Sequence, residues 1–204
     1  MTPSALALVP ADLVLAARRL DVELAALEAV VDVESRGSGF LPDGRPVILF
    51  EGHRFWDELT KRGVDPDPIA AQGHGDVLYP SWTKQHYVGG AGEYQRLAEA
   101  EGIALTVCRG RASAALCSAS WGMFQIMGFN HRACGFASVE DFVDAMKRHE
   151  RDHLAAFCAF VREEGILPYL QEKDWRGFAR RYNGTGQVDV YAGRLAAAHA
   201  KRSA

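Results

Sequence analysis

One segment near the start restricts the fold more than any other. Leu24, Leu27, Val30 and Val31 recur at helical spacing, and Glu34 falls three and four positions beyond the last two. It therefore continues their apolar stripe. The next ten positions, 35–44, hold Gly37, Gly39, Pro42 and an Asp43-Gly44 pair, which is turn chemistry. A β-leaning apolar run follows from Pro46 to Glu51. A helix that ends on a carboxylate and then turns into a strand leaves that carboxylate at the edge between two kinds of structure. There it is partly desolvated, and it also meets the negative end of the helix dipole. Both effects favour the protonated form. A carboxyl kept protonated near neutral pH is a general acid. The alternative is a half-exposed carboxylate paired with Arg36 or another cation. Glu28 and Asp32 lie off the stripe and are expected to be solvated.

The rest of the chain reads as mostly helical. A first helix is expected from Pro10 to Leu20 and a second from Val22 to Glu34. Others are expected over His53 to Lys61, Glu93 to Ala100 and Arg111 to Ser120. The longest runs from Ser138, where Ser138 with Asp141 resembles a capping box, to near Gly165. Short helices at Asp174 to Tyr182 and Val188 to His199 complete the set. Residues 66–92 are rich in Gly, Pro, aromatics and histidines; such a stretch inside a compact domain suits the wall of a binding cleft. The expected fold class is α+β, predominantly α, with one small β element near residues 45–51 beside the cleft.

Bulk properties narrow the functional classes. A chain of 204 residues suits a single domain, 1–204. The net charge of −3 gives no reason to expect nucleic acid or membrane as a partner. Arg176, Arg180, Arg181, Arg194, Lys201 and Arg202 gather near the end, either as a solvated face or as weak attraction to an anionic polymer. No apolar run has membrane-spanning length. The first basic residue is Arg18, so the start does not read as a secretory signal. Cys108, Cys117, Cys134 and Cys158 form no C-x-x-C pair. They read as small buried thiols, with one disulfide open to an oxidising compartment.

Three motifs in order sharpen the reading of Glu34. Residues Glu34 to Phe40 resemble the Glu-Ser segment after which lysozyme-like folds and lytic transglycosylases turn toward a β element. Ser118 to Gly128 contains Gly122-x-x-Gln125-Ile126, similar to the motif lining their cleft. Ala179 to Gly184 is similar to their Tyr-Asn segment. More narrowly, the blocks Val47 to Phe55, Ser118 to Asn130 and Tyr182 to Gly186 resemble the phage-type N-acetylmuramidase family, found as endolysins and their bacterial relatives. The resemblance covers about residues 20–200 and implies a lysozyme-like fold. It also implies cleavage of the β-1,4 bond after N-acetylmuramic acid in bacterial peptidoglycan, without metal or organic cofactor.

By position, Glu34 matches the family's catalytic glutamate. Ser120, Trp121, Gly122, Phe124, Gln125 and Ile126 would line the sugar subsites, and Tyr182 and Asn183 would close the far wall. Ordinary core packing is the alternative for Trp121 and Phe124. Family members often carry a separate wall-binding module; here the cleft is expected to do the binding, in a monomer. Localisation is expected in a host cytoplasm without a signal peptide, with action on the wall after release or export.

Glycoside hydrolysis by the common routes uses two carboxylates. Glu51 ends the β-leaning run, seventeen positions after Glu34, a setting similar to that of chicken-type lysozymes. It is expected to face Glu34 and to stabilise the transition state or position water. The alternative is an ion pair with Arg54 or Arg45. Goose-type lysozymes and transglycosylases use a less obvious second group, so inversion, retention and anhydro-sugar formation all stay open.

One motif points to a different class. His149, Glu150 and His153 match H-E-x-x-H, in which zinc peptidases bind metal through both histidines and use the glutamate as base. Glu172 would be a third ligand. Against this, Arg151 and Asp152 are charged, and the two histidines share a stripe with Phe142, Met146, Ala156, Phe157 and Phe160. Core-lining histidines explain that stripe without metal. His53, His74 and His86 match no metal-ligand spacing. A non-catalytic glycan-binding module is a third possibility.

Overall fold

The computed structural model describes residues 6–34 and 38–203. Helix α1, Pro10–Leu20, starts with proline in its first turn, where a missing N–H costs nothing. It ends where Asp21 turns left-handed. Helix α2, Leu24–Glu34, is the spine. Its buried residues are Ala25, Ala26, Leu27, Ala29 and Val30. The three alanines let neighbours approach from more than one side. Leu24, expected in the buried stripe, is instead 36% exposed, because packing on several sides moves the buried face toward the alanines.

Strand β1, Ile48–Phe50, leads into α3, Gly52–Lys61, with Glu51 at its N-cap. The irregular stretch holds a short helix, α4, Asp67–Ala70. Helix α5, Glu93–Val107, extends through Gly102 well past the expected end at Ala100. Between Arg111 and Ser120 only α6, Ser113–Cys117, is helical. The chain then forms β2, Ala119–Trp121, and β3, Ile126–Met127. The expected single β element is therefore a three-stranded antiparallel sheet in the order β1-β2-β3. Ile48 pairs with Trp121, and Trp121 with Ile126. The expected long helix from Ser138 to Gly165 is two: α7, Val139–Met146, and α8, Glu150–Glu163. Ser138 caps α7 through the Asp141 N–H as expected. The break comes at His149, which is extended and caps α8 with its own ring by accepting from the Arg151 N–H.

Helix α9, Leu167–Gln171, leads to α10, Trp175–Asn183, capped by Asp174, and to α11, Val188–Arg202. Helix α11 lies along α2 and α10. Its exposed end is tied down by Arg202, which grips both oxygens of Asp32 at 2.7 and 2.8 Å. The core is continuous, and its largest buried side chains include Trp121, Phe50, Phe55, Phe142, Phe157 and Phe178. Burial of this kind contributes about 1.5–3 kcal/mol per large apolar side chain. Among the described residues, no helix is long and apolar enough to cross a membrane, and all four cysteines are free thiols.

Candidate active site

Where α2 ends, the sheet and α11 leave a cleft of about 600 Å³. Glu34 opens into it from the last position of α2. Glu34 Oε2 accepts a hydrogen bond of 3.1 Å from the Tyr191 hydroxyl. Tyr191 lies in the first turn of α11, so the packing of α11 on α2 places donor against carboxylate. Among the described residues lining the cleft, Glu34 is the only carboxylate.

The sheet supplies one wall. Alternation along β2 turns Ser120 into the cleft and sends Ala119 and Trp121 to the core. Trp121 is 2% exposed and donates its indole N–H to the Leu116 carbonyl. Ile126, its cross-strand partner, is buried on the same side. Neither lines the cleft, so the packing reading holds for Trp121, and Ile126 shares it.

Ser120, Gly122, Phe124 and Gln125 do border the cleft. Gln125, however, is a strut. Its amide oxygen accepts from Ser120 Oγ at 2.9 Å, and its amide nitrogen donates to the carbonyls of Gly122 and Val47. Its side chain thus locks the β2–β3 turn onto the segment entering β1. Gly122 adopts φ +70°, a conformation that favours glycine. Phe124 is 3% exposed and stacks on Phe157 at 4.4 Å, so packing claims most of its ring.

The far side comes from α10 and α11. Asn183 borders the cleft, but Tyr182 does not. The Tyr182 hydroxyl donates to the Phe124 carbonyl at 3.0 Å, and its ring stacks on Phe178. Burial, with the nearby charge of Glu34, holds the Tyr182 phenol well above its ordinary pKa, so it stays a neutral donor. Tyr182 thus fixes the hairpin from behind. Sequence reading also missed Val33, Ser38, Phe40, Val47, Leu49, Gly89, Gly90, Met123 and Tyr191, all of which border the cleft. Gly89 and Gly90 bring the end of the irregular stretch 66–92 to the cleft. Tyr191 carried no sequence signal beyond its place in an expected helix.

Glu51 is not among the residues lining this cleft. It sits at the N-cap of α3, where its Oε2 accepts from the Tyr87 hydroxyl at 2.7 Å. Burial raises its pKa, against the lowering effect of that hydrogen bond. The suggested ion pairs are not formed: Arg45 pairs with Asp43 and Arg54 with Asp57.

The H-E-x-x-H residues do not present two imidazole lone pairs to a common point. His149 lies outside the helix proper as its cap. His153 uses both ring nitrogens on the backbone, one toward Met123 N–H and one toward the Met146 carbonyl. Of the other histidines, His74 pairs with Glu99, while His53 and His86 stack against Tyr79.

A helix-terminal glutamate beside a small antiparallel sheet, enclosed by helices, defines a lysozyme-like fold. The chain belongs to the N-acetylmuramidase family, whose model matches residues 23–203. Among solved structures it is similar to the endolysin of the Burkholderia phage AP3. The identity is 42% and the TM-score 0.86, over 97% of this chain and 72% of that one. No curated protein matches the chain.

Proposed function

We propose that this protein cleaves the β-1,4 bond between N-acetylmuramic acid and N-acetylglucosamine in bacterial peptidoglycan, with Glu34 as the general acid. The observation that carries this is the setting of Glu34. It is the only carboxylate among the described residues lining a cleft of sugar-binding size, and the Tyr191 hydroxyl, which also borders the cleft, donates to it. Protonated Glu34 gives its proton to the glycosidic oxygen as the bond breaks. Ser120 and Asn183 offer polar contacts to the glycan, and the backbone at Gly89, Gly90 and Gly122 lets a strand approach closely. Family membership and the endolysin likeness support a wall-directed role after release or export. They also favour a glycosidase over a peptidase at the His149–His153 motif.

A second outcome has its own support. With one carboxylate among the described residues lining the cleft, the substrate's own 6-hydroxyl is a competent nucleophile, giving an anhydro sugar by the same acid. Glu51 would have to act from outside the described cleft lining. Release of reducing sugar from purified peptidoglycan tests the proposal. Wild type should release it, and Glu34→Gln should lose about 10²- to 10⁴-fold, the usual contribution of a general acid. A Glu34→Gln variant of undiminished activity on glycan would reject the assignment.

A further inference from the structure

The zinc-like motif has a second reading that the cleft itself supplies. Glu150 and His153 are 4% and 1% exposed, one turn apart at the start of α8. Glu150 Oε1 accepts from the Gly39 N–H at 2.7 Å and from the Ser38 hydroxyl at 3.3 Å. Its Oε2 accepts from the Leu8 N–H at 2.9 Å. His153 Nδ1 accepts from the Met123 N–H at 3.1 Å. Its Nε2 therefore carries the proton, donated to the Met146 carbonyl at 2.7 Å. The ring also stacks on Phe40, with centroids 5.0 Å apart. Two glycines make room for it. A Cβ at Gly39 would run into the imidazole, and one at Gly122 would stand 2.8 Å from Nδ1.

Ser38 and Phe40 border the cleft on the segment that follows Glu34 in sequence. Gly122 and Met123 border it on the hairpin. Both walls thus hang from one helical turn. We infer that Glu150 and His153 are positioning residues that set the spacing of the two walls around Glu34, Glu150 holding the Ser38–Phe40 side and His153 the Met123 side. This rests on the reading of the cleft as the glycan site. Carboxylate and imidazole suit the task because each offers acceptors to backbone N–H groups that burial would otherwise leave unpaired.

Two variants separate this role from simple stabilisation. His153→Asn keeps a carbonyl oxygen near the place of Nδ1 and can still accept from Met123. His153→Gln reaches toward Met146 but offers nothing to Met123. Turnover on soluble glycan strands should be about ten- to a hundredfold higher in the Asn variant than in the Gln variant, at temperatures where both are folded. Equal turnover in the two would overturn the inference. Glu34→Gln assayed alongside distinguishes the failures. Full activity there removes the site itself, whereas inactivity there with equal His153 variants removes only the positioning role. Should neither His153 variant fold, two measurements remain. Nitrogen NMR of the wild type should show His153 protonated on Nε2 and bare on Nδ1 at neutral pH, and the opposite tautomer overturns the inference. Glu150→Gln, which places an amide N–H against a backbone N–H, should lower kcat about tenfold; unchanged kcat overturns it.

Discussion

Replacing Glu93 by glutamine should destabilise this protein more than its single-atom change suggests. Glu93 opens α5 and is fully buried. Its Oε1 accepts from the N–H groups of Val88 and Gly89, at 2.8 and 2.9 Å. Its Oε2 accepts from the Phe50 N–H at 3.1 Å and from Arg96 at 2.7 Å. Arg96 in turn holds the carbonyls of Phe50 and Asp76. One carboxylate thus joins β1 to the loop whose Gly89 borders the cleft. Whichever way the glutamine amide turns, its NH2 meets two donors, and Arg96 becomes a buried charge without its counter-charge. Removing one partner of such a pair costs about 3–5 kcal/mol. At about 2–4 °C per kcal/mol for a chain this size, Tm should fall by roughly 6–20 °C.

Thermal and urea unfolding at neutral pH measure this loss, and a loss under about 1 kcal/mol would refute the reasoning. The pH dependence adds a second check. Burial pushes the Glu93 pKa up, but the N–H groups of Gly89, Val88 and Phe50 and the Arg96 charge outweigh it and hold it below the usual value of 4.5. Its contribution is therefore complete above that unfolded value and is lost as pH falls through the lower folded one. The gap between wild type and Glu93→Gln should close in that acid window. A gap that widens there would contradict the sign.

Three further outcomes are expected. Gly128→Ala should cost about 1–3 kcal/mol or more in urea unfolding, because its Cβ would meet the rigid carbonyl of Leu116; an unchanged midpoint would show that α6 yields easily. Burial lowers the His153 pKa from 6.5, so the unfolded chain binds the proton first. Stability attributable to His153 should be complete above pH 6.5 and decline below it, a decline that His153→Asn should remove from the urea midpoints. Glu51→Gln should reduce peptidoglycan cleavage by less than about tenfold, well short of a general acid's contribution; a loss equal to that of Glu34→Gln would restore Glu51 as a full second carboxylate.

What the sequence disclosed follows from how far each signal reaches along the chain. The end of α1 at Leu20, the end of α2 at Glu34 and the Ser138 cap were legible because each is a local pattern of periodicity or capping. The β2–β3 hairpin was not. Strands of three and two residues show no measurable alternation, and Ala114 to Cys117 before them reads as helix. The break at His149 was hidden too, since no proline or glycine marks it; burying Glu150 and His153 against two loops draws the chain out of helix there. In the candidate site, the motif residues Ser120, Gly122, Phe124, Gln125 and Asn183 border one cleft together with Glu34. Side-chain direction decided the rest: Ser120 turns inward, while Trp121 and Ile126 pack away. Tyr191 depends on how α11 lies on α2, which no local pattern encodes. Ser35, Arg36 and Gly37 of the Glu-Ser segment, and with them the suggested Arg36 pairing, lie outside the described residues.

The role proposed for Glu34 is to protonate the glycosidic oxygen as the glycan is cut. Mass spectrometry of purified peptidoglycan digested by wild type and by Glu34→Gln tests it most directly. Disaccharide-peptides with a reducing N-acetylmuramic acid end from wild type, and none from the variant, are the predicted result. Anhydro-muropeptides would keep Glu34 as the acid and change the acceptor. Cleaved stem peptides on intact glycan, produced equally by wild type and variant, would contradict the account.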